Sequence, residues 1–302
     1  MGNKTTKPWK LAILFLAVFY CLVVATIIGD MITVMANGKP FAMYGVMENL
    51  WPGILVMAPL EAGLSFIVYI LLMRKLLKEP IRDFCRVHVW RELGLGVLVS
   101  AICMVGSVLL WSALGHYKSN GIGLNKWVLI GIMLGIGPAV FEEIFFRGIL
   151  LKRIFERLGA FPANLISLGV FVAYHLPGVG SWQLGVGVLF SAGLMLTSLW
   201  FLTKRLWLTM ASHFTWNFLM VGVFGIPQAL EPVAARGLLN GRLSGPVWLV
   251  GGNGSAEGSL PLIVFPFVIS IIVFYIVWRR GDLRKPEKRG SPLFLMAKNN
   301  TR

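Results

Sequence analysis

A chain of 302 residues that is 57% hydrophobic and only 14% charged, with a mean hydropathy of +0.76, is not a soluble domain, in which about a quarter of residues carry charge. Length alone suggests about two soluble domains; composition excludes that and implies one polytopic bundle of membrane helices. The net charge of +15 calls for no nucleic acid, because no soluble basic domain with interleaved aromatics is present, and anionic lipid headgroups account for it.

Eight apolar runs approach the roughly 20 residues that a membrane span requires. In chain order they are Leu11–Ile28, Trp51–Met73, Leu93–Leu114, Trp127–Phe146, Phe161–His175, Leu184–Leu202, Leu206–Phe224 and Leu260–Trp278. Backbone polar groups in lipid must be satisfied within the segment, so each is expected as a helix. The fifth is short and ends in "HLPG", the mark of a broken or re-entrant span. With the N-terminus inside, 23 Lys and Arg fall in inner segments and 5 in outer ones. That asymmetry predicts eight transmembrane helices with cytoplasmic N- and C-termini. The fold class is therefore all-α.

The connections carry less. The first span has a basic flank and no clear small-residue cleavage site, so it is expected as a retained helix rather than a signal peptide. "MGNKTT" fits the myristoylation pattern, on one short match. The inner segment Arg74–Arg91 predicts an amphipathic interfacial helix with Ile81, Phe84, Cys85 and Val89 near one face. Residues 225–258 form a Gly/Pro-rich outer loop, and the basic tail after Trp278 reads as a disordered cytoplasmic extension. Cys21, Cys85 and Cys103 have neither metal-type nor disulfide spacing. No internal repeat is visible. The chain thus divides into three parts. Residues 1–125 hold three spans and a basic loop, 126–224 form a membrane core, and 225–302 hold the outer loop, last span and tail.

Polar residues inside the spans are few: Glu61, Glu142, Glu143, Arg147, His175, His213 and Asn217. Ionisable groups at membrane depth are costly and are functional candidates by default. Glu143 and Arg147 are i,i+4 and can meet on one helix face, while Glu142 is rotated by about 100° and points elsewhere. His213 and Asn217 share a face by the same spacing, as do Phe171 and His175. A glutamate beside a histidine can take a proton from water, and a second histidine with an amide can donate to an oxyanion. Equally, Glu142, His175 and His213 can be drawn as ligands of a divalent metal such as zinc. Neither a metal nor a cofactor is required by the pattern, which contains no HExxH. Taken singly, each residue has a structural reading: Glu143–Arg147 as an ion pair, each histidine and Asn217 as interhelical glue, Phe171 as packing, Glu61 as a structural or pore-facing group.

Three of these stretches together are more specific. "EEIFFR" at 142–147, "FVAYH" at 171–175 and "HFTWN" at 213–217 resemble the E-E-x-x-x-R, F-x-x-x-H and H-x-x-x-N/D motifs of the CAAX prenyl protease and bacteriocin-processing (CPBP, Abi-type) family of intramembrane proteases. The resemblance covers about Gly135 to Val223. It implies an intramembrane endopeptidase in which Glu142 and His175 activate water, His213 and Asn217 form the oxyanion site, and Glu143 and Arg147 support them. It further implies a membrane-associated peptide or lipidated protein as substrate, cut near its C-terminus or leader. The expected setting is the lipid bilayer of a bacterial plasma (inner) membrane, with no nucleic-acid partner. The absence of a cysteine ligand and the amide at Asn217 incline towards metal-free hydrolysis. The competing reading is a non-proteolytic membrane protein: an immunity factor, a scaffold or a proton-coupled carrier. One mismatch stands out. Counted from the inner ends of their spans, His213 lies ~10 Å deep and His175 ~20 Å deep, so the fifth helix must tilt or begin below the bilayer surface.

Overall fold

The computed structural model describes residues 7–37, 51–175, 182–226, 237–251 and 256–284. The MGNKTT pattern, residues 176–181, parts of the outer loop (227–236 and 252–255) and the tail beyond residue 284 lie outside those residues. Within them, each of the eight apolar runs is helical: α1 (Pro8–Asn37), α2 (Trp51–Leu72), α3 (Val89–Ala113), α4 (Lys126–Glu142), α6 (Ala160–His175), α7 (Trp182–Thr203), α8 (Trp207–Asn217) and α10 (Leu260–Arg279). Short helices α5 (Lys152–Leu158) and α9 (Val247–Val250) lie between them. A two-stranded antiparallel ribbon pairs β1 (Tyr117–Ser119) with β2 (Gly241–Leu243). The molecule is an all-α bundle with that one ribbon among the described residues.

Five helical stretches are long and apolar enough to cross a membrane: Pro8–Ala36, Pro52–Leu77, Val89–Ala113, Lys126–Leu158 and Leu260–Arg279. Ala160–His175 and Phe190–Thr203 are apolar but shorter. α8 has 11 residues and continues as a six-residue π-helix, Phe218–Val223. The eight-span count and the orientation thus remain inferences from sequence.

α4 also passes into π winding, over Glu143–Leu151, and then into α5. The whole run Lys126–Leu158 has 33 residues, or about 50 Å, against a hydrocarbon core of about 30 Å. It cannot fit inside the bilayer along its full length. After the single turn residue Gly159, at φ 94°, α6 starts directly from this overhang. A helix that starts beyond the hydrocarbon needs extra residues to reach a given depth.

The segment Arg74–Arg91 is not the amphipathic helix its pattern predicts. π winding over Met73–Leu77 ends at Lys78, which is left-handed at φ 57°, and helix resumes only at Val89. Pro80 disfavours helical geometry at Glu79 and removes a donor. The segment instead folds under the bundle and is bonded to it. Asp83, 1% exposed, accepts from Tyr69 Oη at 2.9 Å and from Lys152 Nζ at 2.7 and 2.8 Å. Arg153 bonds Glu79 at 2.7 Å, Trp207 Nε1 donates to the Cys85 carbonyl at 3.2 Å, and Arg205 pairs with Glu92.

The bundle is tightened mainly along α1–α2, α2–α4, α3–α8 and α7–α10. Its most enclosed side chains include Phe141, Ile144 and Phe146 of the α4 run, packed in one cluster with Met195, Leu199 and Phe201 of α7. Lipid is as apolar as these side chains, so packing and interhelical hydrogen bonds hold them rather than expulsion from water.

The turn between α7 and α8 contains a caged cation. Lys204 Nζ lies 4.0 Å from the Phe201 ring centroid, 4.2 Å from Phe155 and 4.8 Å from Trp200, and donates to the Asp282 carbonyl at 3.1 Å. Burial lowers this ammonium from its ordinary 10.5 to about 7, opposed by the Asp282 charge; the ring faces also attract the cation. The unfolded chain therefore binds more protons than the folded one between those two values, so this lysine makes stability rise with pH there. Replacing it, Lys204→Met, is expected to flatten the pH dependence of the thermal midpoint in detergent from about pH 7 upward. An unchanged profile would show that the cage does not perturb the amine.

Candidate active site

Four helices meet around one buried guanidinium. Arg147, 1% exposed, sits in the π-wound part of the α4 run. Its Nη1 donates to Glu143 Oε1 at 2.8 Å, one turn back on the same strand of helix. Its Nη2 donates to the Gly193 carbonyl of α7 at 3.2 Å. The ring of Phe171, from α6, lies 4.8 Å from the guanidinium carbon, within cation–π range. The i,i+4 pairing of Glu143 with Arg147 is thus present, and Phe171 has a use beyond packing.

Glu143 Oε1 has a second partner that sequence spacing does not reveal: His213 Nδ1 of α8, at 2.9 Å. A carboxylate paired with arginine accepts hydrogen bonds, so Nδ1 carries the proton and donates. His175 is set in the same way. Its Nδ1 lies 2.8 Å from the Phe171 carbonyl, which can only accept, so Nδ1 again donates. Both imidazoles are thereby committed through Nδ1, and both turn Nε2 towards Glu142.

Glu142 is where they converge. Its Oε2 lies 3.6 Å from His175 Nε2 and 3.9 Å from His213 Nε2. These gaps are longer than direct hydrogen bonds. Glu142 is 6% exposed, and its Oε2 is fully enclosed without a hydrogen-bond partner among the described residues. The sequence-derived split between a tied Glu143 and a loose Glu142 matches this geometry. Tyr174 closes one side, its ring 4.9 Å from that of His175 and 5.6 Å from that of Phe146.

Asn217 stands at the last α-helical position of α8, one turn beyond His213. Its Nδ2 donates to the Leu134 carbonyl of α4 at 3.2 Å, which ties α8 to α4 beside the site. Among the described residues no group of three or more His, Cys, Asp or Glu side chains is arranged to hold a metal ion. Glu142, His175 and His213 nonetheless turn one carboxylate oxygen and two Nε2 atoms towards a common point.

A helix bundle with span-length apolar helices, carrying a buried carboxylate faced by two oriented imidazoles, defines an integral membrane protein with the makings of a hydrolytic centre. Residues 124–219 match the Rce1-like family, described as type II CAAX prenyl endopeptidase Rce1-like. The match is consistent with the CPBP resemblance and supports a peptidase acting on a membrane-associated substrate. It spans Glu142, Glu143, Arg147, His175, His213 and Asn217, and leaves α1 to α3 and α10 outside. No curated protein and no solved structure matches the chain.

Because Arg147 has no route to water, its removal leaves Glu143 and the His213 tautomer without their anchor. Arg147→Ala is expected to cost about 3–5 kcal/mol of stability, the usual cost of stripping one partner from a buried ion pair. A clearly lowered thermal midpoint in detergent would be the readout. A wild-type midpoint would mean that the pair does not hold the bundle.

Proposed function

We propose that the chain is an intramembrane endopeptidase that hydrolyses a peptide bond near the C-terminus or leader of a membrane-associated, lipidated substrate. The observation that carries this reading is the enclosed Glu142 Oε2, which has no protein hydrogen bond and faces two Nε2 atoms at 3.6 and 3.9 Å. A water held there would lose a proton to Glu142 as its oxygen attacks the substrate carbonyl. His175, fixed through Nδ1, would orient the same water through Nε2. The developing oxyanion would be met by Asn217 and by His213. The latter donates through Nε2 when both ring nitrogens carry protons, Nδ1–H being committed to Glu143. On collapse the C–N bond breaks, and the proton on Glu142 passes to the departing amine. Glu143 and Arg147 touch no substrate in this scheme; they hold His213 and the helices in place.

In this reading residues 126–224 are the catalytic membrane core, flanked by a three-span N-terminal part and a C-terminal part with one span and a tail. The setting is a bacterial plasma membrane with both termini cytoplasmic.

Profiling of cleaved membrane proteins with wild type against Glu142→Gln and His175→Ala tests the assignment. Each variant should insert and fold normally yet lose cleavage by at least about 10²–10⁴-fold. His213→Ala and Asn217→Ala should each lose about 10²–10³-fold. A chelator should leave the wild-type rate unchanged. Normal cleavage by both Glu142→Gln and His175→Ala would sink the reading, and chelator loss reversed by added metal would replace its water-activation step.

A further inference from the structure

Glu61 is not used in the mechanism above and lies outside the family match. It sits on α2, two residues after Pro59, and is 3% exposed. It makes no hydrogen bond or ion pair among the described residues, and it lies within electrostatic reach of both Glu142 and Tyr174. Its Oε2 presses on α4 at Gly137, five residues before Glu142. A Cβ there would fall 2.6 Å from that oxygen and 3.2 Å from Ala58 of α2, so the glycine lets the carboxyl and the two helices come close.

Glu61 heads a polar stripe. Ser65 and Tyr69 follow at successive i,i+4 positions of α2, so all three share one face, about 6 Å apart along the axis. Ser65 and Tyr69 are both 0% exposed. Tyr69 Oη donates to Asp83, which is bonded in turn to Lys152 at the rim of the bundle. Ser65 is the informative member. Other buried helical hydroxyls find a partner: Thr33 bonds to Gly29, Ser107 to Cys103, Thr215 to Ala211 and Ser270 to Pro266, each four residues earlier, Ser198 and Thr209 reach back three, and Ser100 bonds Ser212 across helices. Ser65 Oγ has no partner among the described residues. A buried hydroxyl left unpaired is unfavourable unless water satisfies it.

Peptide hydrolysis consumes one water per bond: its oxygen joins the carbonyl carbon, and a proton leaves with the amine. An apolar bundle must resupply that water. We infer that Glu61, Ser65 and Tyr69 line a water-entry path along α2 from the Asp83–Lys152 rim to Glu142, with Glu61 as the inner carboxyl that holds the incoming water. The inference rests on the hydrolytic reading for its purpose, but not for its existence.

Thiol accessibility separates the two. In a full-length chain whose Cys21, Cys85 and Cys103 are replaced by alanine, Ser65→Cys should react with a water-soluble thiosulfonate, a reagent that needs a hydrated thiolate. Ser270→Cys on α10, equally buried but off the stripe, should stay inert. Occupying the path with the reagent, or filling it with Ser65→Leu, should lower kcat at least about tenfold with little change in KM, and Ser65→Thr should restore it. Reactivity of Ser65→Cys no greater than that of Ser270→Cys, or full cleavage after complete labelling, overturns the path. A protein that cleaves nothing while Ser65→Cys still labels would defeat the peptidase reading and leave the path standing.

Discussion

The guanidinium of Arg147 sets the geometry on which the site depends. A cation of that size without water is tolerated only where the protein supplies acceptors and a counter-charge. Here the supply comes from separate helices: Glu143 from its own run, the Gly193 carbonyl from α7 and the Phe171 ring from α6. Glu143 then reaches α8 through His213. Each contact is short and directional, so a small shift of any one of these helices breaks at least one of them. Such contacts fix register in a membrane, where apolar packing alone discriminates weakly between one sliding position and the next.

The same arrangement explains why α4 and α8 change winding where they do. α4 ends at Glu142 and π winding starts at Glu143; α8 ends at Asn217 and π winding starts at Phe218. π segments are uncommon and concentrate at functional sites. The wider turn alters which way successive side chains face. A helix can then carry its polar groups inward at the site and apolar groups on every side beyond it. Glu142 and Glu143, adjacent in sequence, end with different partners: one turned to two Nε2 atoms, the other to a guanidinium and an Nδ1.

What could be read beforehand followed from periodicity. The helices and the Glu143–Arg147 pair are local matters of spacing and hydropathy, and the structure contains them. What could not be read depends on distant segments meeting. Nothing in "EEIFFR" says that Glu143 would also bind His213, 70 residues away, or that Phe171 would cover Arg147. Glu61 was visible as an isolated acid, but its nearness to Glu142 follows from α2 packing on α4 at a glycine. The amphipathic pattern of Arg74–Arg91 misled because its apolar residues face the underside of the bundle rather than a lipid surface. Pro80 was the available signal against a helix.

The polar groups of this fold then sort by what they are bonded to. At the rim, Asp83 with Lys152, Glu79 with Arg153 and Glu92 with Arg205 hold helix ends and the connecting segment together. Deeper in, Glu143, Arg147 and His213 hold one another. Glu142 Oε2 and Ser65 Oγ are enclosed without a hydrogen-bond partner among the described residues, as are Glu143 Oε2 and Arg147 Nε of the ion pair itself. Burying an unsatisfied polar atom is unfavourable, and a structural role would be better served by a bonded group or an apolar one. The water path inferred above would satisfy Ser65 Oγ and Glu142 Oε2 together, which an apolar core cannot do.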